Sequence, residues 1–334
     1  MSTQTPIRPT ADEPNSHVHG EAWVEQLPMQ RVHSHQSFFR GFGGTVKEIW
    51  QYRQLLGQLT RKELKVKYKD SVLGFLWTLI RPLLQLLVYS IAVGGFLGNS
   101  RSIPEFGVYL FTGLLCWTFF TDIIGGCTGS IVSNAGLVKK VYFPREMFPL
   151  SVVGAAAINF LLQCLVLIGA YAWNRQWPHP DNFLLIPLGL LVVVLFGTAL
   201  GLLLAASNVY LRDVQYLVEV SLLFWFWMTP IVYAWTQVRD KLAANYDWLL
   251  QIYLANPMCD VVLAFQKALW PGGRLTIYNK DATTGQLVPV HGSEHIYTGN
   301  LYGRLGILIG VCLVLLWLAQ RIFARAQGNF AQEL

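Results

Sequence analysis

Charge is what this chain has least of. Asp, Glu, Lys and Arg make up only 13% of its 334 residues, against 53% hydrophobic, where a soluble globular domain carries roughly 25% charged residues. About half the usual solvating charge is missing, and the mean hydropathy is +0.40. That balance excludes water as the main solvent of the surface and leaves the bilayer. Cysteine is scarce as well. Four of the five, Cys116, Cys127, Cys164, Cys259 and Cys312, lie in apolar runs and none forms a CxxC pair. Neither a disulfide framework nor a zinc site is indicated, and they read as small packing residues. No phosphate-cradling GxxxxGK loop occurs, nor GxSxG, HExxH or a dinucleotide fingerprint at a strand-to-helix turn. The chain therefore has no P-loop nucleotide site and no recognisable catalytic motif.

What charge there is has a pattern. The net charge is +6, with many cations at the edges of apolar runs. That placement suits anionic headgroups and topology signalling rather than nucleic acid. Residues 1–40 are polar, with Pro6, Pro9 and Pro14 and no apolar h-region. The reading is a disordered cytoplasmic tail over 1–44, with no signal peptide. His17, His19, His33 and His35 form two HxH pairs there; solvated histidines in a tail are the simpler account than a metal site.

Six segments have the roughly 20 mostly apolar residues that a membrane-spanning helix needs: about 73–97, 107–132, 150–173, 183–206, 216–233 and 301–323. Arg61, Lys62, Lys65, Lys67 and Lys69 precede the first. Lys139, Lys140 and Arg145 link the second and third, Arg212 the fourth and fifth, and Arg321 and Arg325 end the sixth. The other short links hold only Arg101 and Arg175. Lys and Arg bias predicts both termini on the cytoplasmic side of the cytoplasmic membrane. The fold class is all-α integral membrane, with six transmembrane helices in a domain over 71–330. Before it, 45–70 is predicted as an amphipathic helix on the membrane face, with Trp50, Leu55, Leu59 and Val66 at near-helical spacing,. Within 234–300, "YDWLLQIYLANPMCDVVLAFQKALW" breaks at Asn256-Pro257 into halves too short to span, which predicts outer re-entrant half-helices. A polar insertion about 271–300 follows, hairpin-like around "LTIYNKDATTGQLVPVHGS",.

Ionisable residues inside spans are costly and default to function; here they are Arg81, Asp122 and Glu219, with Arg212 and Asp213 just outside. Asp122 either lines a polar path or bonds across a helix interface. Trp117, Phe119, Phe120, Trp225, Trp227 and Tyr233 form either an interfacial belt or a set of faces on which sugar rings slide. Pro230 is predicted to kink the fifth span.

Taken together, "RKELKVKYKDSVLGFLWTLIRPLL", "LVKKVYFPREMFPL", "SNVYLRDVQYLVEVSLLFWFWMTPIVY" and "LANPMCDVVLAFQKALW" resemble the membrane subunit of ABC-2 type exporters. The similarity covers about 45–330 and is to the subgroup that moves lipid-linked polysaccharides, O-antigens, capsules and teichoic acids. The closing "RAQGNFAQEL" resembles an actinobacterial branch such as the galactan exporters. At Arg81-Pro82 the chain departs from relatives that carry Gln-Pro.

The resemblance implies a homodimeric permease, itself not an enzyme. Two copies of a separate nucleotide-binding subunit would hold the ATP and Mg, and this chain would hold no cofactor. Its substrate would be a polyprenyl-pyrophosphate-linked glycan, with membrane lipids around it. It further implies a headgroup and gate site at Lys65, Lys67, Lys69 and Arg81, and a substrate path along the six aromatics. Coupling to the ATPase would fall to Asn134, Lys139, Lys140, Tyr142, Pro144 and Arg145, with Arg212 and Asp213 as a second contact. Two other readings stand beside it: an ABC-2 permease for a small drug or lipid, and an integral membrane glycan transferase, which would need clustered acids or histidines at one depth.

Overall fold

A computed structural model describes residues 42–67, 69, 71, 73–96, 103, 105–140, 143–175, 177–178, 180–243, 247–271, 278–280, 287–289 and 300–334. The tail with its HxH pairs, Tyr142 and most of the polar insertion lie outside them.

The chain enters through α1 (Phe42–Gln51) and α2 (Arg53–Lys67). One amphipathic helix was predicted over 45–70; the chain instead breaks at Tyr52 and the second helix ends at Lys67. Its apolar positions also divide. Leu59 is buried against the bundle, while Trp50 and Val66 are exposed. The turn that follows needs Gly74, whose φ of 47° falls in the left-handed region that a side chain disfavours. Ser71 Oγ accepts the Gly74 N–H at 3.1 Å.

Next come α3 (Trp77–Tyr89), which continues as a π-helical stretch Ser90–Phe96, and α4 (Phe106–Ser133). The short α5 (Ala135–Lys140), α6 (Met147–Asn174) and α7 (Leu185–Tyr210) follow. With α12 (Leu301–Ala326), the spans built on α3, α4, α6 and α7 are, among the described residues, the five single helices long and apolar enough to cross a bilayer. α4 is the central post, buried along most of its length between α6 and α7. Lipid supplies no hydrophobic drive between helices, so close packing needs small residues. A Cβ at Gly201 of α7 would lie 2.7 Å from the Cβ of Cys127 in α4. Gly201→Ala is therefore expected to cost about 1–3 kcal/mol by overpacking. The check is a lowered thermal midpoint in detergent, with Gly107→Ala as control because nothing lies within 4 Å of its Cβ.

The predicted fifth span is the main departure. Helix α8 runs only over Val214–Trp227, and its 14 residues reach about 21 Å at 1.5 Å per residue. Pro230 ends the helix rather than kinking it, since it has no N–H to continue the ladder. The irregular backbone beyond is satisfied by protein groups. Gln266 Nε2 donates to the Pro230 carbonyl at 3.1 Å, and the Tyr109 hydroxyl donates to the Tyr233 carbonyl at 2.9 Å. Thr229 Oγ1 bonds back to the Trp225 carbonyl at 2.9 Å. Non-helical backbone at this depth survives only when walled in this way.

After α9 (Trp235–Ala243), helices α10 (Asp247–Leu254) and α11 (Pro257–Leu269) form the predicted broken pair, bent by 73° at Asn256-Pro257. Asn256 caps α11 by accepting from the Met258 N–H at 3.0 Å, with Pro at the first helical position, where its missing N–H costs nothing. Trp225 Nε1 donates to the same Asn256 oxygen at 2.8 Å. From α12, Arg304 donates to Asp260 Oδ1 at 2.9 Å and to the Leu254 carbonyl at 2.6 Å. α11 is buried against the first turns of α4 and α7, where Gln266 lies by Gly113 and Phe265 by Gly189. In the insertion, β1 (Tyr278–Lys280) and β2 (Leu287–Pro289) pair antiparallel, as the hairpin-like pattern predicts. The chain closes with α13 (Phe330–Glu333).

Candidate functional site

One face of α3 carries Trp77, Thr78, Arg81 and Pro82, spaced i, i+1, i+4 and i+5, so all four point the same way. Thr118 and Asp122 share a face of α4 by the same i, i+4 rule. These faces, with Lys67 from the last turn of α2 and Gln163 from α6, enclose a cavity of ≈ 320 Å³. Among the described residues its charged lining is two cations and one carboxylate. Lys67 Nζ lies 3.4 and 3.5 Å from the two Asp122 oxygens, and Asn159 Nδ2 donates to Asp122 Oδ2 at 3.4 Å. Gln163 is 3% exposed and its Oε1 has no hydrogen-bond partner among the described residues. A buried unsatisfied acceptor is costly, and a ligand hydroxyl or N–H in the cavity would relieve it.

Of the four residues expected at a headgroup site, the structure brings Lys67 and Arg81 together. Lys65 and Lys69 are exposed and do not line the cavity. Asp122 both lines the polar space and bonds across a helix interface, so the two accounts of it coincide. Gln163, Asn159 and Thr118 were missed. The signal for the first two was in the sequence: polar amides at i and i+4 inside an otherwise apolar span.

The opposite ends of α4 and α7, with the start of α6, gather the basic loops. Lys139, Lys140, Arg212 and Asp213 are exposed there. Asn134 is not on that surface: it is buried, accepts from Lys62 Nζ, and donates to the Ser130 carbonyl at 2.7 Å, tying α2 to the end of α4. Pro144 precedes Arg145, whose guanidinium lies 5.8 Å from the Phe330 ring centre. Phe330 also packs on Tyr210 at 6.2 Å, so the Arg145 loop and the last residue of α7 meet on one buried ring. Beside them Glu146 is buried, and desolvation pushes its carboxyl above the ordinary range, partly offset by backbone and Gln320 hydrogen bonds.

The six aromatics do not form one surface. Trp117, Phe119 and Phe120 are buried within the chain's own core. Phe120 stacks on Phe196 at 5.8 Å and meets Trp225 edge-on at 5.3 Å, while Phe119 packs on Phe160 at 5.0 Å. Apolar rings on the central helix α4 are core before they are anything else. Tyr233 bonds to the Trp227 carbonyl at 2.8 Å, and Trp227 is 51% exposed.

Residues 54–270 match the family profile described as ABC-2 type transporter, more than half of the chain. The chain belongs to the ABC-2 type transporter family. Within it, the chain is 34% identical over 290 residues to the O-antigen export system permease protein RfbA of Myxococcus xanthus, covering 86% of this chain and 98% of that protein. It is 30% identical to the O-antigen export system permease protein RfbA of Klebsiella pneumoniae, over 65% of this chain and 81% of that one. It is 22% identical to the polysialic acid transport protein KpsM of Escherichia coli, over 63% and 79%. The ABC-2 match begins at residue 54, inside α2, so the helix that walls the cavity belongs to the matched domain.

Proposed function

We propose that this ABC-2 chain is the permease of an ATP-driven exporter that carries a polyprenyl-pyrophosphate-linked polysaccharide across the cytoplasmic membrane. The names of its relatives supply the polysaccharide class. The observation that carries the headgroup is the cavity, where Lys67 and Arg81 converge with a buried, unsatisfied Gln163 acceptor. Two cations match a phosphate, and the amide oxygen matches a hydroxyl or N–H donor on an adjoining sugar.

The basic end, with Lys139, Lys140 and Arg212 exposed, is the cytoplasmic end by the Lys/Arg rule, with both termini on that side. There two copies of a nucleotide-binding subunit, which hold ATP and Mg, dock on a homodimer of this chain. The experiment is stimulation of ATP hydrolysis by purified lipid-linked glycan in the reconstituted complex. The double variant Lys67→Gln, Arg81→Gln is expected to raise the half-saturating glycan concentration at least tenfold, with basal hydrolysis and assembly as in the unaltered complex. Unchanged half-saturation would remove the cavity from substrate recognition.

A further inference from the structure

Thr118, Thr121, Asp122, Gly125 and Gly129 run down one face of α4 at i, i+3, i+4, i+7 and i+11. All five are half-buried, on a helix otherwise buried along most of its length. The outer end of the row, Thr118 and Asp122, lines the cavity beside the Gln163 acceptor, unpartnered among the described residues. Helix α8 crosses the row in antiparallel register. The rings of Phe226 and Trp117 lie 5.7 Å apart, and Gln215 Oε1 lies 3.7 Å from a Cβ placed on Gly129. Between these contacts there is open space, since nothing lies within 4 Å of a Cβ on Gly125.

Glu219 is level with that gap. It comes four residues after Gln215, as Gly125 comes four before Gly129, and it shares one side of α8 with Gln215 and Phe226. Its side chain is exposed, and among the described residues no cation pairs with it. A carboxylate in a span is costly against lipid and faces a polar path instead. Here that path is the gap over Gly125, which leads along the α4 row into the cavity.

Outward of this level the charge stops. Residues 82–96, 106–121 and 220–227 of α3, α4 and α8 include no Asp, Glu, Lys or Arg. The cations at the cavity, Lys67 and Arg81, are the two that a pyrophosphate would occupy. An acidic sugar attached to that headgroup meets Glu219 and finds no cation farther out on these helices, in surroundings that strengthen the repulsion. Sugar hydroxyls, by contrast, find carboxylate, amide and threonine oxygens to bond.

We infer that this permease selects an uncharged glycan, with Glu219 as the residue that accepts sugar hydroxyls at the gap and turns acidic sugars away. The inference rests on the cavity being the headgroup site of a lipid-linked glycan. ATP hydrolysis by the reconstituted complex tests it with three probes. These are polyprenyl pyrophosphate bearing a neutral hexose oligomer, the same lipid bearing the matching hexuronic acid oligomer, and the lipid with no sugar. In the unaltered complex the neutral glycan is expected to half-saturate at least tenfold below the acidic one. Glu219→Gln keeps the size of the side chain without its charge, and is expected to shrink that ratio below threefold. Glu219→Asp keeps the charge and is expected to keep the ratio. A residue that only holds the fold would shift both glycans together and leave their ratio unchanged.

Equal half-saturation by the two glycans in the unaltered complex overturns the inference, as does a ratio that Glu219→Gln leaves intact. The sugar-free lipid tells that failure from failure of the headgroup site. A response to it that Lys67→Gln, Arg81→Gln weakens tenfold leaves the headgroup site standing. A response that the double variant leaves unchanged overturns that site, and with it the placing of the glycan along this gap.

Discussion

Replacing Arg304 with alanine is expected to destabilise the protein by about 3–5 kcal/mol, the usual cost of removing one partner from a buried ion pair. Asp260 is 1% exposed, and the guanidinium is its salt-bridge partner, at 2.9 Å. The same side chain donates to the Leu254 carbonyl at 2.6 Å, one of the carbonyls that the end of α10 leaves without a helical donor. One planar fork thus closes both sides of the elbow. A lysine has the charge without the fork, so Arg304→Lys is expected to restore only part of the loss. Thermal unfolding in detergent reads these effects. Adding Asp260→Asn to Arg304→Ala is expected to recover more than about 1 kcal/mol, because the stranded charge is then gone. An unchanged midpoint for Arg304→Ala would show that the elbow does not depend on this pair.

Trp225→Ala is expected to cost about 3–5 kcal/mol, the range for emptying a packed aromatic site. Its ring meets Phe120 at 5.3 Å and Phe196 at 6.0 Å, and its indole N–H reaches Asn256 at 2.8 Å. Trp225→Phe keeps the ring contact and loses the hydrogen bond, for about 1–3 kcal/mol. Trp227→Ala, at a site 51% exposed, is expected to stay within about 1 kcal/mol of the parent. The neighbouring tryptophans therefore answer different questions. Lost export in Trp225→Ala would follow from a damaged elbow alone, whereas lost export in a stable Trp227→Ala would place an aromatic face on the substrate's route. Undiminished export in Trp227→Ala would take that residue off it.

Much of this was legible in the residues. The apolar runs locate the five long helices within a few positions because lipid demands about 20 residues per crossing whatever the packing. The break at Asn256-Pro257 was visible because Asn is a strong N-cap and Pro suits the first helical turn. The short α8 was not. Composition alone does not separate an apolar helix from apolar irregular backbone, and what decides it is whether side chains such as Gln266 and Tyr109, distant in sequence, arrive to take the carbonyls. The cavity was half legible: Lys67 and Arg81 announced themselves as charges beside or inside grease. Gln163 and Asn159 did not, since an amide in a span is as readily a packing contact as a lining residue until the facing helix is known. The aromatics of α4 misled for the converse reason. Their chemistry suits a sugar path, but their position on the central helix commits them to the core.

The brevity of α8 has a consequence where the chain meets the membrane. Helix α8 covers only about 21 Å of a hydrocarbon layer about 30 Å thick, and beyond it the chain runs on as backbone whose carbonyls Gln266 and Tyr109 hold. Where a longer helix would satisfy its own backbone, this side of the permease relies on side chains from α4 and α11, so a change at either would expose polar backbone to lipid.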